Sequence, residues 1–244
     1  MGLVDRYFSA LRAQLDTIET QRHADIETAA QLCTESIAAG GVVHLYDTGH
    51  LVDRELVNRA GGLVGLTAFR FNLQVENTNP YRQRQGGVHK PALGAVTAAL
   101  DSSQIQPGDV LIIGSVSGKS AVVVELALRA RERGVKVIAL TAPAYSGQLA
   151  SEHPSGKRLF ESADLVLDNG APYGDGMLEV EGLPYAICPA SGVGAVVILW
   201  AIVARIIELL LARGMTPTIF PSVNRPDGPA LVAAARAQYE RNGY

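Results

Sequence analysis

Three serine hydroxyls, a lysine and two glycines stand within one short run, Gly114-Ser115-Val116-Ser117-Gly118-Lys119-Ser120. Hydroxyls and backbone N–H groups donate hydrogen bonds, and Gly118 lets a ligand approach the backbone. Such a set suits an oxyanion, above all a phosphate monoester. A nucleotide-hydrolysing P-loop needs a glycine, four residues, then Gly-Lys-Ser/Thr. Here three residues separate Gly114 from Gly118-Lys119-Ser120, so the loop is one short. A dinucleotide loop is absent too, because Asp47-Thr48-Gly49-His50 lacks its glycine spacing. The pattern that remains is Ser-x-Ser-Gly-x-Ser. It reads either as an anion cradle or as an ordinary strand-to-helix turn with serine caps.

The neighbouring elements decide where such a loop would sit. Val110–Ile113 is short, apolar and β-branched, as a buried parallel strand is. A helix is expected over 121–133, stopped by Gly134, and Val135–Leu140 begins another strand. This is a βαβ unit. Its loop lies past the C-terminal end of a strand and at a helix N-terminus, where such sheets bind ligands.

The chain has 244 residues, 48% hydrophobic and 18% charged, which fits a well-packed globular domain. A net charge of −3 offers no basic footprint, so nucleic acid is not an expected partner. Cys33 and Cys188 lie far apart without metal-ligand spacing, as in a reduced cytoplasmic protein. The acidic residues and missing apolar stretch near the N-terminus do not read as a signal peptide. Residues 186–204 are almost uncharged, but Cys188-Pro189-Ala190-Ser191-Gly192 divides them into a strand and a helix. A helix buried in the core or at a subunit contact is expected there, in preference to a membrane span.

Helices are expected over 4–21, 24–39, 52–59, 92–100 and 193–213, and at the C-terminus. Strands are expected over 42–46, 63–68, 165–167 and 185–188. Residues 70–90 show no period and read as a long loop. Alternating strands and helices imply an α/β fold, a parallel sheet covered on both faces. One domain is expected: a helical extension over 1–40, an α/β core over 41–214, and a tail over 215–244.

With these residues in view, the unit Leu111–Leu140 resembles the SIS (sugar isomerase) domain, whose members bind phosphosugars through an S-x-S-G-x-[ST] loop. Thr48-Gly49-His50, Glu55-Leu56 and Arg59-Ala60-Gly61-Gly62-Leu63 are similar to the first loop and helix of stand-alone bacterial SIS proteins. So are Ser155-Gly156-Lys157-Arg158-Leu159 and Gly170-Ala171-Pro172-Tyr173-Gly174-Asp175. The resemblance implies a three-layer α/β/α fold with a five-stranded parallel, flavodoxin-like sheet. It implies a homodimer or homotetramer with sites at the C-terminal strand ends, near the subunit contact. Carried over, Ser115, Ser117 and Ser120 would hold the phosphate beside Gly118 and Lys119. Thr48 and Gly49 would border it, and Ser191 could face it.

The first loop departs from the family's pattern. Leu51-Val52 stand where relatives carry a substrate-contacting serine, and the run to Glu55 is shorter. Lys119 could supply charge in place of the lost hydroxyl, and a sulfonate or carboxylate becomes an alternative anion.

On this resemblance Glu55 is the candidate base for an aldose–ketose isomerase. Such an enzyme moves a proton between adjacent carbons through an enediol, work for a partly desolvated carboxylate. Glu55 and Arg59, four residues apart, read equally as an exposed helix pair. His50, His153 and His89 are candidates for ring opening or proton transfer, with His153 the choice for a residue reaching a neighbouring subunit. Glu125 and Arg129 read as a surface pair. No histidine pair has metal spacing, and neither a metal nor an organic cofactor is expected. The expected function is an isomerase of a sugar phosphate or similar anionic sugar. The alternatives are a non-catalytic phosphosugar sensor, and a lyase or deaminase using the same site.

Overall fold

The computed structural model describes residues 2–49, 52–74, 76, 81 and 93–244. Two helices open the chain, α1 (Leu3–Gln21) and α2 (His23–Ala38). There follow β1 (Val43–Asp47), α3 (Val52–Leu56), β2 (Leu66–Ala68) and α4 (Leu93–Asp101). The serine-bearing unit is β3 (Val110–Gly114), α5 (Ala121–Glu132) and β4 (Lys136–Thr141). Then come α6 (Pro143–Ser146), a 3-10 turn at Leu159–Glu161, β5 (Leu165–Asp168), β6 (Gly176–Leu178) and β7 (Ile187–Pro189). Two long helices, α7 (Ser191–Ala212) and α8 (Gly228–Asn242), complete the fold.

Five strands form one parallel sheet in the order β2-β1-β3-β4-β5. This is the flavodoxin-like order, and its direction reverses between β1 and β3. Alternation along β3 explains the layers. Val110 and Ile112 pack with α2 and α7, whereas Leu111 and Ile113 pack with α4 and α5. A strand presents successive side chains to opposite faces, so a run of four apolar residues serves two cores at once.

α7 is long and apolar enough to cross a bilayer. It is a core helix here. Ile198, Ile202 and Ile206 recur every four residues and are at most 2% exposed against α2 and the sheet. Burying each contributes about 1.5–3 kcal/mol.

Three expectations need correction. The strand read at 185–188 is not part of the parallel sheet. Ile187–Pro189 pairs antiparallel with Gly176–Leu178 instead. A further parallel strand would need a crossover of a dozen or more residues, usually a helix. Pro172, Gly174, Gly182 and Pro184 deny the intervening chain a helix. The strand at 63–68 begins only at Leu66, and Leu63 makes an isolated antiparallel bridge to Ile219. The helix expected to Arg59 ends at Leu56, with Asn58 left-handed just beyond it at φ 59°.

Candidate functional site

The serine loop lies where sheet order reverses. Asp47 at the end of β1 stands in register with Gly114 at the end of β3. The Thr48 N–H donates to the Gly114 carbonyl at 3.2 Å, and its hydroxyl lies 3.3 Å from the same oxygen. Thr48 therefore borders the start of the loop across the crevice.

The carbonyls of Val116, Ser117, Gly118 and Lys119 are drawn away by the chain that follows. The Val116 carbonyl accepts from the Thr141 hydroxyl at 3.0 Å and the Ala142 N–H at 3.3 Å. The Ser146 hydroxyl donates to the Ser117 carbonyl. The Leu159 N–H donates to the Gly118 carbonyl at 2.8 Å, and the Glu152 N–H to the Lys119 carbonyl at 2.9 Å. Gly118 makes this path possible at φ +54°, a left-handed conformation with little room for a side chain.

The opposite polarity of the loop is left free. Among the described residues, the N–H groups of 116–123 have no acceptor. Among the described residues the hydroxyls of Ser115, Ser117 and Ser120 have no partner either, and Ser120 caps α5 without a side-chain bond. A row of unpaired N–H groups before a helix N-terminus, with hydroxyls beside it, is an anion-binding geometry.

Lys119 is not a free charge. Its ammonium lies 2.8 Å from Glu152, whose hydrogen bond and charge hold it above its ordinary pKa.

Ser191 begins α7 and is 1% exposed. Its hydroxyl donates to Asp175 at 2.7 Å, and its N–H donates to the same carboxylate at 2.8 Å. The Ala190 N–H adds a third bond at 3.1 Å. Asp175 thus caps α7 and orients Ser191. Gly194 lets the helix seat this deeply, because a Cβ there would fall 2.2 Å from the Asn169 carbonyl oxygen. Ser191 and Ser115 line one small cavity of about 10 Å³ with Asp47 and Asn169.

Glu55 lies on α3, at the wall of a cleft of about 720 Å³. Arg54 and Arg59 share that wall, and Ser191, Val193, Val196 and Val197 of α7 stand among the other lining residues. Glu55 is partly exposed and pairs with Arg59 at 3.2 Å. Ser191 borders both this cleft and the small cavity at the serine loop.

His153 is held elsewhere. Its Nε2 lies 2.8 Å from Glu125, and its Nδ1 lies 2.7 Å from the Ser155 hydroxyl and accepts the Ser155 N–H at 3.1 Å. The last bond makes Nδ1 the acceptor, so Nε2 carries the proton and donates to Glu125. Glu125 is 6% exposed and also accepts from Arg129 at 2.8 Å. It is therefore no surface pair, because the 151–157 loop folds across α5 and covers it. Burial pushes its carboxyl up, but the Arg129 and His153 bonds outweigh this and hold it below the ordinary range. His50 and His89 lie outside the described residues. Among the described residues no group of three or more His, Cys, Asp or Glu has the proximity to hold a metal ion.

The anchors of the loop, Thr141, Ser146 and Leu159, escaped sequence reasoning. Ser146 lies 29 residues from the carbonyl it holds, and no local spacing announces such a bond.

The SIS domain model matches residues 6–142. A UPF0309 protein of Oceanobacillus iheyensis is 32% identical over 230 residues, 93% of each chain. One from Streptomyces avermitilis is 33% identical over 228 residues, covering 93% of this chain and 90% of the relative. Among solved structures, a phosphoheptose isomerase from Francisella tularensis matches with TM-score 0.55 and 15% identity. That match covers 85% of this chain and 100% of the isomerase. An E. coli CFT073 protein, solved in complex with a sugar phosphate, matches with TM-score 0.51 and 16% identity, covering 88% and 91%. At such identities the likeness is one of fold. The matched model and the relatives, about a third identical over nearly the whole chain, together place this protein in a family: it belongs to the SIS-domain proteins.

Proposed function

We propose that the protein binds an anionic sugar by its phosphate in the serine loop and interconverts its aldose and ketose forms. One observation carries the binding half: the carbonyls of Val116–Lys119 are tied outward while N–H groups and hydroxyls stay unpaired. The solved complex of a fold relative with a sugar phosphate supports the choice of ligand class. The same cradle accommodates a sulfonate. The free cysteines suit a cytoplasmic setting.

For the reaction, the anchored phosphate holds the sugar with its carbonyl end in the cleft beside Glu55. The Glu55 carboxylate takes the proton from the carbon next to the carbonyl, leaving an enediolate. It returns that proton to the neighbouring carbon while the hydroxyl proton passes from one of the two oxygens to the other, so no atom is gained or lost. Anchoring matters because it replaces a bimolecular encounter by a fixed geometry. A binding role without turnover is the second reading. It is favoured by the Glu55–Arg59 pair and by His153, whose ring nitrogens are both engaged.

A thermal-shift screen with sugar phosphates and sugar sulfonates tests the cradle. A rise in midpoint with the wild type, absent in Ser117→Ala, is expected. Solvent deuterium exchange at the sugar carbon then separates the two readings. Exchange with wild type and none with Glu55→Gln, at unchanged affinity, marks an isomerase. Binding without exchange marks a sensor.

A further inference from the structure

We infer that a second pocket, between the turn after α3 and the C-terminal helix α8, takes a small organic carboxylate with an apolar body, whose charge Arg236 and Arg59 receive. This pocket shares no residue with the serine loop and does not depend on it.

A cavity of about 440 Å³ lies between residues 58–60, residues 220–224 and α8. Small-molecule sites commonly span roughly 300–1,000 Å³. Backbone bonds pin its walls. The Gly61 N–H donates to the Phe220 carbonyl at 2.8 Å, and the Phe220 N–H donates to the Gly62 carbonyl at 2.9 Å. The Gly228 N–H donates to the Arg225 carbonyl at 2.9 Å. A Cβ on Gly228 would fall 2.3 Å from the Val223 carbonyl oxygen, so the segment before α8 is seated closely on the start of that helix. A pocket held this way is formed before its ligand arrives, which keeps the ordering cost of binding low.

Two guanidiniums line the pocket and no carboxylate does. Arg236 lies over the Phe220 ring, 5.7 Å from its centroid. Among the described residues it makes no ion pair or hydrogen bond, although Glu240 stands one turn further along α8. Stacking holds the guanidinium plane at the wall and leaves its N–H edge to a ligand. Asp227 is taken by Arg225 at 3.1 Å. Arg59 spends a single Nη2 bond on Glu55, at 3.2 Å, out of the five N–H donors of a guanidinium. Pro221, Val223 and Val232 stand beside these cations. A planar fork of donors matches a carboxylate by two parallel bonds, and the apolar lining matches a hydrocarbon body. Arg59 also lines the 720 Å³ cleft. An anion in the second pocket therefore competes with Glu55 for one guanidinium.

Ligand-observed NMR titration of the full-length protein tests this, with benzoate as the probe and benzamide as its neutral isostere. Benzoate should bind about tenfold more tightly, as one charge-assisted contact implies. Arg236→Gln, a change at an exposed position, should abolish that preference. Glu55→Gln removes the competitor for Arg59 and should tighten benzoate binding two- to threefold; unchanged affinity there overturns the role given to Arg59. Ser117→Ala should bind benzoate as wild type does, which separates this pocket from the serine loop. No binding by wild type, equal affinity for the two probes, a preference that survives Arg236→Gln, or one that vanishes in Ser117→Ala overturns the second pocket. None of these results touches the serine-loop reading, which stands or falls on the sugar-phosphate screen.

Discussion

At the scale of single residues, Gly118 shows how the cradle is built. It sits at φ +54°, and a Cβ would lie 3.1 Å from Leu159 Cβ, 3.2 Å from Ser146 Oγ and 3.3 Å from Thr141 Oγ1. Those three residues are among the ones that draw the loop's carbonyls outward. Gly118→Ala should cost about 1–2 kcal/mol for the left-handed backbone alone. It should also weaken anion binding, because relieving the crowding displaces the anchors. Urea denaturation with and without a sugar phosphate measures both effects; an unchanged midpoint would contradict this account. The serines themselves were readable from type and spacing. Their freedom from partners was not, since it depends on where every other donor and acceptor went.

At the scale of elements, two small devices hold the site's edges. Asp175 caps α7 through Ser191 and Ala190. Asp175→Ala should destabilise the fold by about 1–2 kcal/mol, within the range for a lost N-cap. Asp175→Asn, which keeps an acceptor and tolerates the left-handed φ of 67°, should cost less. Thermal unfolding compares them. The second device is the turn at Leu159–Glu161, whose first N–H supports the Gly118 carbonyl. Hydrogen bonds from the Arg158 side chain and backbone hold the Glu161 carboxyl at about 2, below its ordinary 4.5. Glu161 is thus less readily protonated folded than unfolded. Its contribution is complete above about pH 4.5 and fades as pH falls toward 2. The amplitude is small, because solvent screens a group about one-third exposed. Stability of Glu161→Gln should fall less steeply than wild type across that window. Identical slopes would show that the pair does not matter.

At the scale of the whole molecule, apolar surface remains uncovered. Leu3, Val4 and Phe8 on α1 are 45%, 68% and 48% exposed. Val193, Val196 and Val197 of α7 open onto the cleft. Residues of this kind are more often found against a partner surface. Self-association into a dimer or tetramer is the expected state. Sedimentation velocity at micromolar concentration should find it, and Phe8→Asp should shift the distribution toward monomer. A monomeric wild type across that range would refute the expectation. Such an assembly would also set what His153 can reach, since within one chain its ring is occupied by Glu125 and Ser155.

The amino-acid sequence by itself determined the layers of this protein and the place of its loop. The unbroken apolar run Val110–Ile113 and the glycine just past α5 are local properties, governed by backbone geometry and side-chain alternation. A strand, a serine-rich turn and a helix can only be joined so that the turn lies at the strand's C-terminal end. Only the tertiary structure decided which polar groups were spent. It drew four loop carbonyls to residues up to 41 positions away. It turned Glu125 from an expected surface charge into the buried partner of His153, and paired Lys119 with Glu152. It sent Ile187–Pro189 into a hairpin instead of the sheet. It paired Glu55 with Arg59 at the cleft wall and left Arg54 without a partner among the described residues. A hydrogen bond or ion pair between distant residues depends on the folded path of the whole chain. No window of sequence contains that path, and so the chemistry of a site emerges one level later than its position.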